Sequence, residues 1–237
     1  MSDTITLNIH GREIEGRPGQ TVLEAAEENG VYIPRLCRMK DLSPAGSCRV
    51  CTERVNGRPQ SACTQPITPG MFVQNDTEEL RKLRRNLIDM LFVEGNHFCM
   101  FCEKSGACEL QALAYRFGIT APKYPYMFPQ RELDASHPEI FIDRNRCILC
   151  GRCVRASAEL DGNRVFGFVG RGGDKRVAVN SDSGLGETTA KRDDRAIGAC
   201  PTGCLLVKKI GFEVPVGRRK FDSEPIGTDI ESGNAGE

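Results

Sequence analysis

The run Arg146-Cys-Ile-Leu-Cys-Gly-Arg-Cys-Val154 sets Cys147, Cys150 and Cys153 at C-x2-C-x2-C spacing. Three thiolates held that close cannot all pair in disulfides with one another. They can converge on one inorganic centre, because a tight loop turns its side chains inward. Such a triplet needs a fourth ligand, and the chain supplies a distant Cys-Pro pair at Cys200-Pro201. This pattern points to one [4Fe-4S] cluster held by Cys147, Cys150, Cys153 and Cys200. A zinc knuckle is the competing chemistry, but zinc sites usually pair one C-x2-C with another or with histidines.

Two further groups precede it. Cys37, Cys48, Cys51 and Cys63 stand at C-x10-C-x2-C-x11-C. Plant-type [2Fe-2S] sites use C-x4-C-x2-C and a remote fourth cysteine; the central C-x2-C is kept here and the first gap is longer. Pro44, Gly46 and Ser47 lie in that gap, where small residues let backbone N–H groups approach cluster sulfur. A four-cysteine zinc site is the alternative. His97, Cys99, Cys102 and Cys108 follow at H-x-C-x2-C-x5-C. On spacing alone a zinc site of three cysteines and one histidine fits this group as well as a [4Fe-4S] cluster does. In the last group the bacterial-ferredoxin run would continue x3-C-P to serve a second cluster. Ser157 takes that place, so no second cluster is expected there. Three sites use eleven of the 12 cysteines and one histidine, leaving Cys204 over. It could replace Cys200, but the Cys-Pro pairing favours Cys200.

The elements that must position these groups are short. Ile5, Leu7 and Ile9 alternate with polar residues, the mark of a half-buried strand. His10-Gly-Arg12 turns it into a second strand near Glu13 to Glu15. Thr21 and Glu24 form a capping box for a helix that buries Val22, Ala25 and Ala26 and stops at Gly30. A hairpin with a helix across it suggests a β-grasp module. Asp76 and Glu79 read as an N-cap and its N3 partner for a helix with Leu80, Leu83, Leu87, Ile88 and Leu91 inward. Arg81, Lys82, Arg84 and Arg85 then form a solvated face. A second helix turns Leu110, Leu113, Ala114 and Phe117 inward and stops at Gly118. Residues 119–137, with Pro122, Pro125 and Pro129, read as an extended linker. His10 and His137 read as structural or exposed. Ile140 to Ile142 is a strand, Val154 to Leu160 a helix, and Val165 to Val169 with Arg176 to Val179 a hairpin. Neither the Walker nor the Rossmann glycine pattern is present, so the glycines near Arg171 are assigned to a turn. The polar segment from Arg218 onward reads as a docking or frayed tail.

The expected architecture is α+β in three small modules. Residues 1–78 form a β-grasp [2Fe-2S] ferredoxin module, 79–118 a small helical module for the centre that contains His97, and 138–212 a ferredoxin-like module for the last [4Fe-4S] cluster. Residues 119–137 link them and 213–237 form the tail. Hydrophobic content of 39% and aromatic content of 6% are lean for one large core, and suit small modules stapled by inorganic centres. Lys plus Arg balances Asp plus Glu at 32 each, which gives no argument for nucleic acid or an anionic membrane. No run approaches the ~18 apolar residues of a membrane span, and the N-terminus lacks signal-peptide features. A reducing cytoplasm is expected, where grouped cysteines bind metal more often than they form disulfides.

Three modules in this order resemble the N-terminal third of the large iron–sulfur subunit of respiratory complex I. The stretches Val31-Tyr-Ile-Pro, Glu94-Gly-Asn-His-Phe-Cys, Cys102-Glu-Lys-Ser-Gly, Leu110-Gln-Ala and Gly217-Arg-Arg-Lys resemble more closely the diaphorase small subunit of soluble NAD-reducing [NiFe]-hydrogenases. The resemblance covers nearly the whole chain. It implies that His97 is a cluster ligand and that the chain carries one [2Fe-2S] and two [4Fe-4S] clusters. It implies partners too: a flavin- and NAD-binding diaphorase large subunit and [NiFe]-hydrogenase subunits. Electrons from H2 would pass through this chain toward NAD+, and the chain would perform no bond chemistry itself. A formate dehydrogenase catalytic subunit, or a complex I-like NADH dehydrogenase, could supply the same setting. A zinc-stapled interaction module is the reading from another class. Two departures stand out. Only Phe98 separates His97 from Cys99 where complex I relatives have three residues, and Cys204 stands where an aliphatic residue is expected.

Overall fold

The computed structural model describes residues 4–233. It begins with β1 (Ile5–Ile9) and β2 (Arg12–Gly16), paired antiparallel from Ile5 opposite Gly16 to Ile9 opposite Arg12. Next come α1 (Val22–Glu28), β3 (Thr52–Val55), β4 (Arg58–Ser61) and β5 (Phe72–Gln74). The sheet order is β2-β1-β5-β3-β4, with β1 and β5 parallel at its centre. The period-2 strands place Leu7, Ile9, Ile14, Val55 and Val73 against Val22, Leu23, Ala25 and Ala26 of α1, all buried. The capping box forms as read: Thr21 Oγ1 accepts from the Glu24 N–H, and Glu24 accepts from the Thr21 N–H at 2.9 Å. This is the β-grasp arrangement.

The second unit is helical, with α2 (Glu78–Val93) and α3 (Glu109–Arg116). Leu80, Ile88, Leu110, Leu113 and Ala114 are buried as expected. Three expectations need correction. The N-cap of α2 is Thr77, whose hydroxyl accepts from the Leu80 N–H; Asp76 pairs with Arg81 and Glu79 with Arg54. Leu83 is exposed rather than inward. Arg84, assigned to a solvated face, is only 2% exposed. Its guanidinium meets Glu53 Oε1 at 2.7 Å and the carbonyls of Val50, Asn75 and Thr52. Hydrophobic periodicity cannot reveal such a pair, because its ion partner lies on β3 of the first module.

The third unit contains β6 (Leu133–Asp134), β7 (Ile140–Asp143), α4 (Arg152–Glu159), β8 (Phe166–Val169), β9 (Arg176–Val179), α5 (Arg195–Gly198) and β10 (Leu205–Val207). The strands β10-β7-β6 form one antiparallel sheet and β8-β9 the expected hairpin. The segment read as a linker therefore contributes a strand, β6. It also straps back over the helical unit, with Tyr126 Oη donating to the Gly95 carbonyl at 2.6 Å. His137 is buried, and its Nδ1 accepts from the Glu139 and Ile140 N–H groups.

The described part of the tail is not frayed. Phe221 N donates to the Gly106 carbonyl at 2.8 Å. Asp222 clamps Arg219 at 2.7 Å. The closing helix α6 (Thr228–Glu231) buries Ile230 and pairs Glu231 with Arg116.

Candidate metal centres

Cys37, Cys48, Cys51 and Cys63 come together beside the β-grasp sheet. Cys37 arrives on irregular chain after α1, Cys48 and Cys51 on a tight loop entering β3, and Cys63 in the turn after β4. That loop holds Arg49 at φ 60° and Gly46 at φ 64°. A Cβ at Gly46 would stand 3.1 Å from Thr64 Cγ2, so a larger residue would crowd the approach. The Cys37 N–H donates to Cys48 Sγ at 3.4 Å. Hydrogen bonds from Cys48, then Cys63, push the Cys37 thiol far down, and contact with Cys63 brings Cys51 to about 7. Cys48 and Cys63, the donors in those contacts, are raised in turn, so the set shares its protons and binds metal only as it sheds them, the thiolate being the ligand form.

Cys99 and Cys102 lie on a single 3-10 turn, Cys99–Phe101 and its C-cap, while Cys108 is the N-cap of α3. Burial raises all three thiols, Cys108 to about 12. His97 is held differently. Burial depresses it to about 4, so the ring is neutral near pH 7. Its Nε2 is buried without a partner. A neutral imidazole with a buried, unpartnered nitrogen has a lone pair to offer a metal. Gly95 keeps the space open, because a Cβ there would lie 2.5 Å from His97 Nε2.

Cys147 and Cys150 occupy the loop before α4, and Cys153 the helix's first turn. Two left-handed residues shape it, Leu149 at φ 53° and Gly151 at φ 67°. The Leu149 N–H points at Cys147 Sγ, 3.4 Å away. Cys200 lies between α5 and β10, with its sulfur 3.7 Å from Thr202 Oγ1. Cys204, outside all three groups by its sequence, is buried with its thiol in hydrogen-bonding contact with both Cys147 and Cys200. That contact lowers Cys200 to about 5. The C-P-x2-C spacing carried this signal, since a turn that short returns the second cysteine beside the first.

The three groups adjoin. Arg155 Nη2 donates to the Cys37 carbonyl at 2.5 Å and the Cys150 carbonyl at 3.2 Å. Arg152 spans the Arg38 carbonyl at 2.9 Å and both oxygens of Glu109 at 2.7 Å. Arg146 Nη1 lies 3.7 Å from Cys102 Sγ and 2.9 Å from Glu103 Oε2. Among the described residues, no three His, Cys, Asp or Glu side chains converge on the position of a single ion. An iron–sulfur cluster distributes its ligands over several irons, and the sulfur sets with the free His97 nitrogen fit that requirement.

Known proteins share this layout. Residues 2–78 match a 2Fe-2S iron-sulfur cluster binding domain family. Residues 84–123 match the NADH-ubiquinone oxidoreductase-G iron-sulfur binding region, and residues 137–206 the ferredoxin-like domain of NADH-quinone oxidoreductase subunit 3. The NAD-reducing hydrogenase HoxS subunit gamma of Cupriavidus necator is 37% identical over 94% of this chain and 95% of that one. The NADPH-Fe(3+) oxidoreductase subunit alpha of Geobacter sulfurreducens is 32% identical over 88% of this chain, which spans 24% of that protein. A chain in the crystal structure of an NAD+-reducing [NiFe]-hydrogenase in the H2-reduced state superposes with a TM-score of 0.91. It is 49% identical, over 93% of this chain and 94% of that chain.

Proposed function

The chain belongs to the family of iron–sulfur electron-transfer subunits of NAD-reducing hydrogenases, and from that membership we propose how its residues divide the work. Cys37, Cys48, Cys51 and Cys63 hold a [2Fe-2S] cluster within a module of residues 1–78. His97, Cys99, Cys102 and Cys108 hold a [4Fe-4S] cluster within 79–118. Cys147, Cys150, Cys153 and Cys200 hold a second [4Fe-4S] cluster within 138–212. When bound, such clusters each accept one electron with little geometric change. The chain places its redox sites in series between a [NiFe] subunit that oxidises H2 and a flavin subunit that reduces NAD+. It does so in the cytoplasm, and among the described residues no helix is long and apolar enough to cross a membrane.

One observation supports the reading: the three ligand sets adjoin one another. Arg155 bridges the Cys37 and Cys150 carbonyls, and Arg146 reaches from beside Cys147 to Cys102. Cys48 of the first set and Cys108 of the second share a further core cluster. A zinc-stapled scaffold has no need of such contiguity, whereas a relay does. The residues themselves neutralise and position: His97 brings no charge, while Arg146, Arg152 and Arg155 place cations around sites that gain negative charge on reduction.

The test is anaerobic purification of the complex, metal analysis of this chain and parallel assays of NAD+ reduction with H2 and with formate. About ten irons per chain with matching sulfide are expected, together with activity on H2. Zinc in place of iron would overturn the relay. Activity on formate alone would keep the relay and replace the hydrogenase partner. His97→Cys checks the histidine: an EPR signal unchanged in potential and line shape would show that His97 is not a ligand.

A further inference from the structure

We infer that the ion pair between Glu109 and Arg152 is a strut that fixes the separations among the three ligand sets, and so positions the clusters for electron transfer from one to the next. The inference rests on the reading of those sets as the iron–sulfur sites of a hydrogenase relay.

Each end of the pair stands next to a ligand. Glu109 follows Cys108 of the second set, and Arg152 precedes Cys153 of the third. Both residues are helix starts: Glu109 opens α3 and Arg152 opens α4. Their side chains meet as a fork, Arg152 Nη1 on Glu109 Oε1 and Nη2 on Oε2, both at 2.7 Å. Two parallel charge-assisted bonds fix direction as well as distance. Glu109 adds a backbone contact to the same module. Its N–H donates to the Pro201 carbonyl at 2.9 Å, and Pro201 follows Cys200. A residue beside one second-set ligand thus holds the neighbours of two third-set ligands. The same guanidinium reaches the first set, with Nη2 donating to the Arg38 carbonyl at 2.9 Å; Arg38 follows Cys37.

These bonds engage residues beside ligands and leave the sulfurs untouched, so they set the spans between sites without building any one site. Electron tunnelling slows steeply as the gap between centres widens. A second module that rocked on the third would lose rate without losing a cluster. Arg152 is 4% exposed, and a guanidinium buried to that degree requires its carboxylate. A forked pair with further bonds to backbone, placed at the starts of two helices, resists such rocking. Glu109 is then a positioning residue, acting through Arg152 and Pro201.

The experiment compares the intact complex with its Glu109→Ala, Glu109→Asp and Glu109→Gln variants. It reads iron content, EPR midpoints, the spin–spin broadening between the reduced four-iron signals, and the rate of NAD+ reduction by H2. Dye reduction by H2 and by NADH reports the two ends of the complex separately. Glu109→Ala is expected to keep its iron and both dye rates, and to lose broadening together with NAD+ reduction by H2. Glu109→Asp keeps the charge but is one methylene short of the fork. It should show a smaller loss of both with midpoints unmoved, and it serves alone if the alanine variant does not fold. Glu109→Gln keeps the length and one acceptor, and should recover most of the broadening. Iron missing from any variant would give Glu109 a part in building a site and overturn the inference. A slower relay with broadening intact would show that the pair acts through charge, and a glutamine variant as impaired as the alanine would show the same; either overturns it. Rates and broadening unchanged throughout would overturn it as well. A wild-type complex without four-iron signals or without H2-driven NAD+ reduction would sink the underlying relay reading itself.

Discussion

The guanidinium of Arg146 stands 3.7 Å from the sulfur of Cys102, forty-four residues earlier in the chain. Arg146 directly precedes Cys147, so one cation touches the second ligand set while its own backbone starts the third. Thr202 Oγ1 donates to the Arg146 carbonyl at 2.9 Å, which ties the same residue to the Cys200 turn.

Replacing Arg146 by Gln removes a positive charge beside a site that becomes more negative on reduction. The midpoint of the His97 centre is expected to fall by about 60 mV, a tenfold change for a one-electron couple. Arg146→Lys should fall less, because Glu103 and Asp143 can still hold a cation there. EPR-monitored titration of the complex measures both, and equal midpoints in all three proteins would refute this assignment.

Gly203 marks the same seam. A Cβ on it would lie 2.5 Å from Cys102 Sγ, closer than any relaxed contact allows. Gly203→Ala should therefore displace Cys102 and deplete iron from the second site. Iron analysis with EPR would show a weakened four-iron signal beside an intact two-iron signal.

Arg84 and Glu53 form an ion pair with side chains 2% and 0% exposed. Arg84→Ala leaves a carboxylate buried alone and is expected to cost about 3–5 kcal/mol. Burial already pushes Glu53 well above its ordinary range. A carboxyl raised in the fold favours folding while protonated, and that stability is lost as pH rises. The deficit of Arg84→Ala should accordingly be larger at pH 8 than at pH 5.5. Denaturant unfolding followed by circular dichroism at the two values decides it; a pH-independent deficit would contradict this account.

Asp222 is held far below the usual carboxylate range, chiefly by hydrogen bonding to Arg219. A depressed carboxyl stabilises the fold above its unfolded value, near 3.8, and that contribution fades only as pH falls below it. Hydrogen exchange across residues 217–222 should therefore be constant between pH 6 and pH 8 after correction for intrinsic rates. Asp222→Asn should raise exchange throughout that interval, because the clamp on Arg219 is gone. Unaltered protection in the variant would show that the turn is held by the Phe221–Gly106 hydrogen bond instead.

Local chemistry was legible in the chain itself. The C-x2-C pairs dictate short loops whose sulfurs must converge, and Thr21 with Glu24 dictates a helix start, because both act within a few residues. The same holds for the alternation of Ile5, Leu7 and Ile9, which produces a one-sided strand. Tertiary structure alone decided what joins distant parts. It buried Arg84 against Glu53 of β3, since an amphipathic pattern records hydrophobic faces and is blind to a charge that finds its partner thirty-one residues away. It pressed the described tail onto Gly106 and buried Cys204, a spare residue by its spacing, in the same core as Cys147 and Cys200. It also set the third site against the first, through Arg155 and Cys37, 118 residues apart. Ligand spacing specifies each pocket; only packing between modules specifies which pocket is neighbour to which.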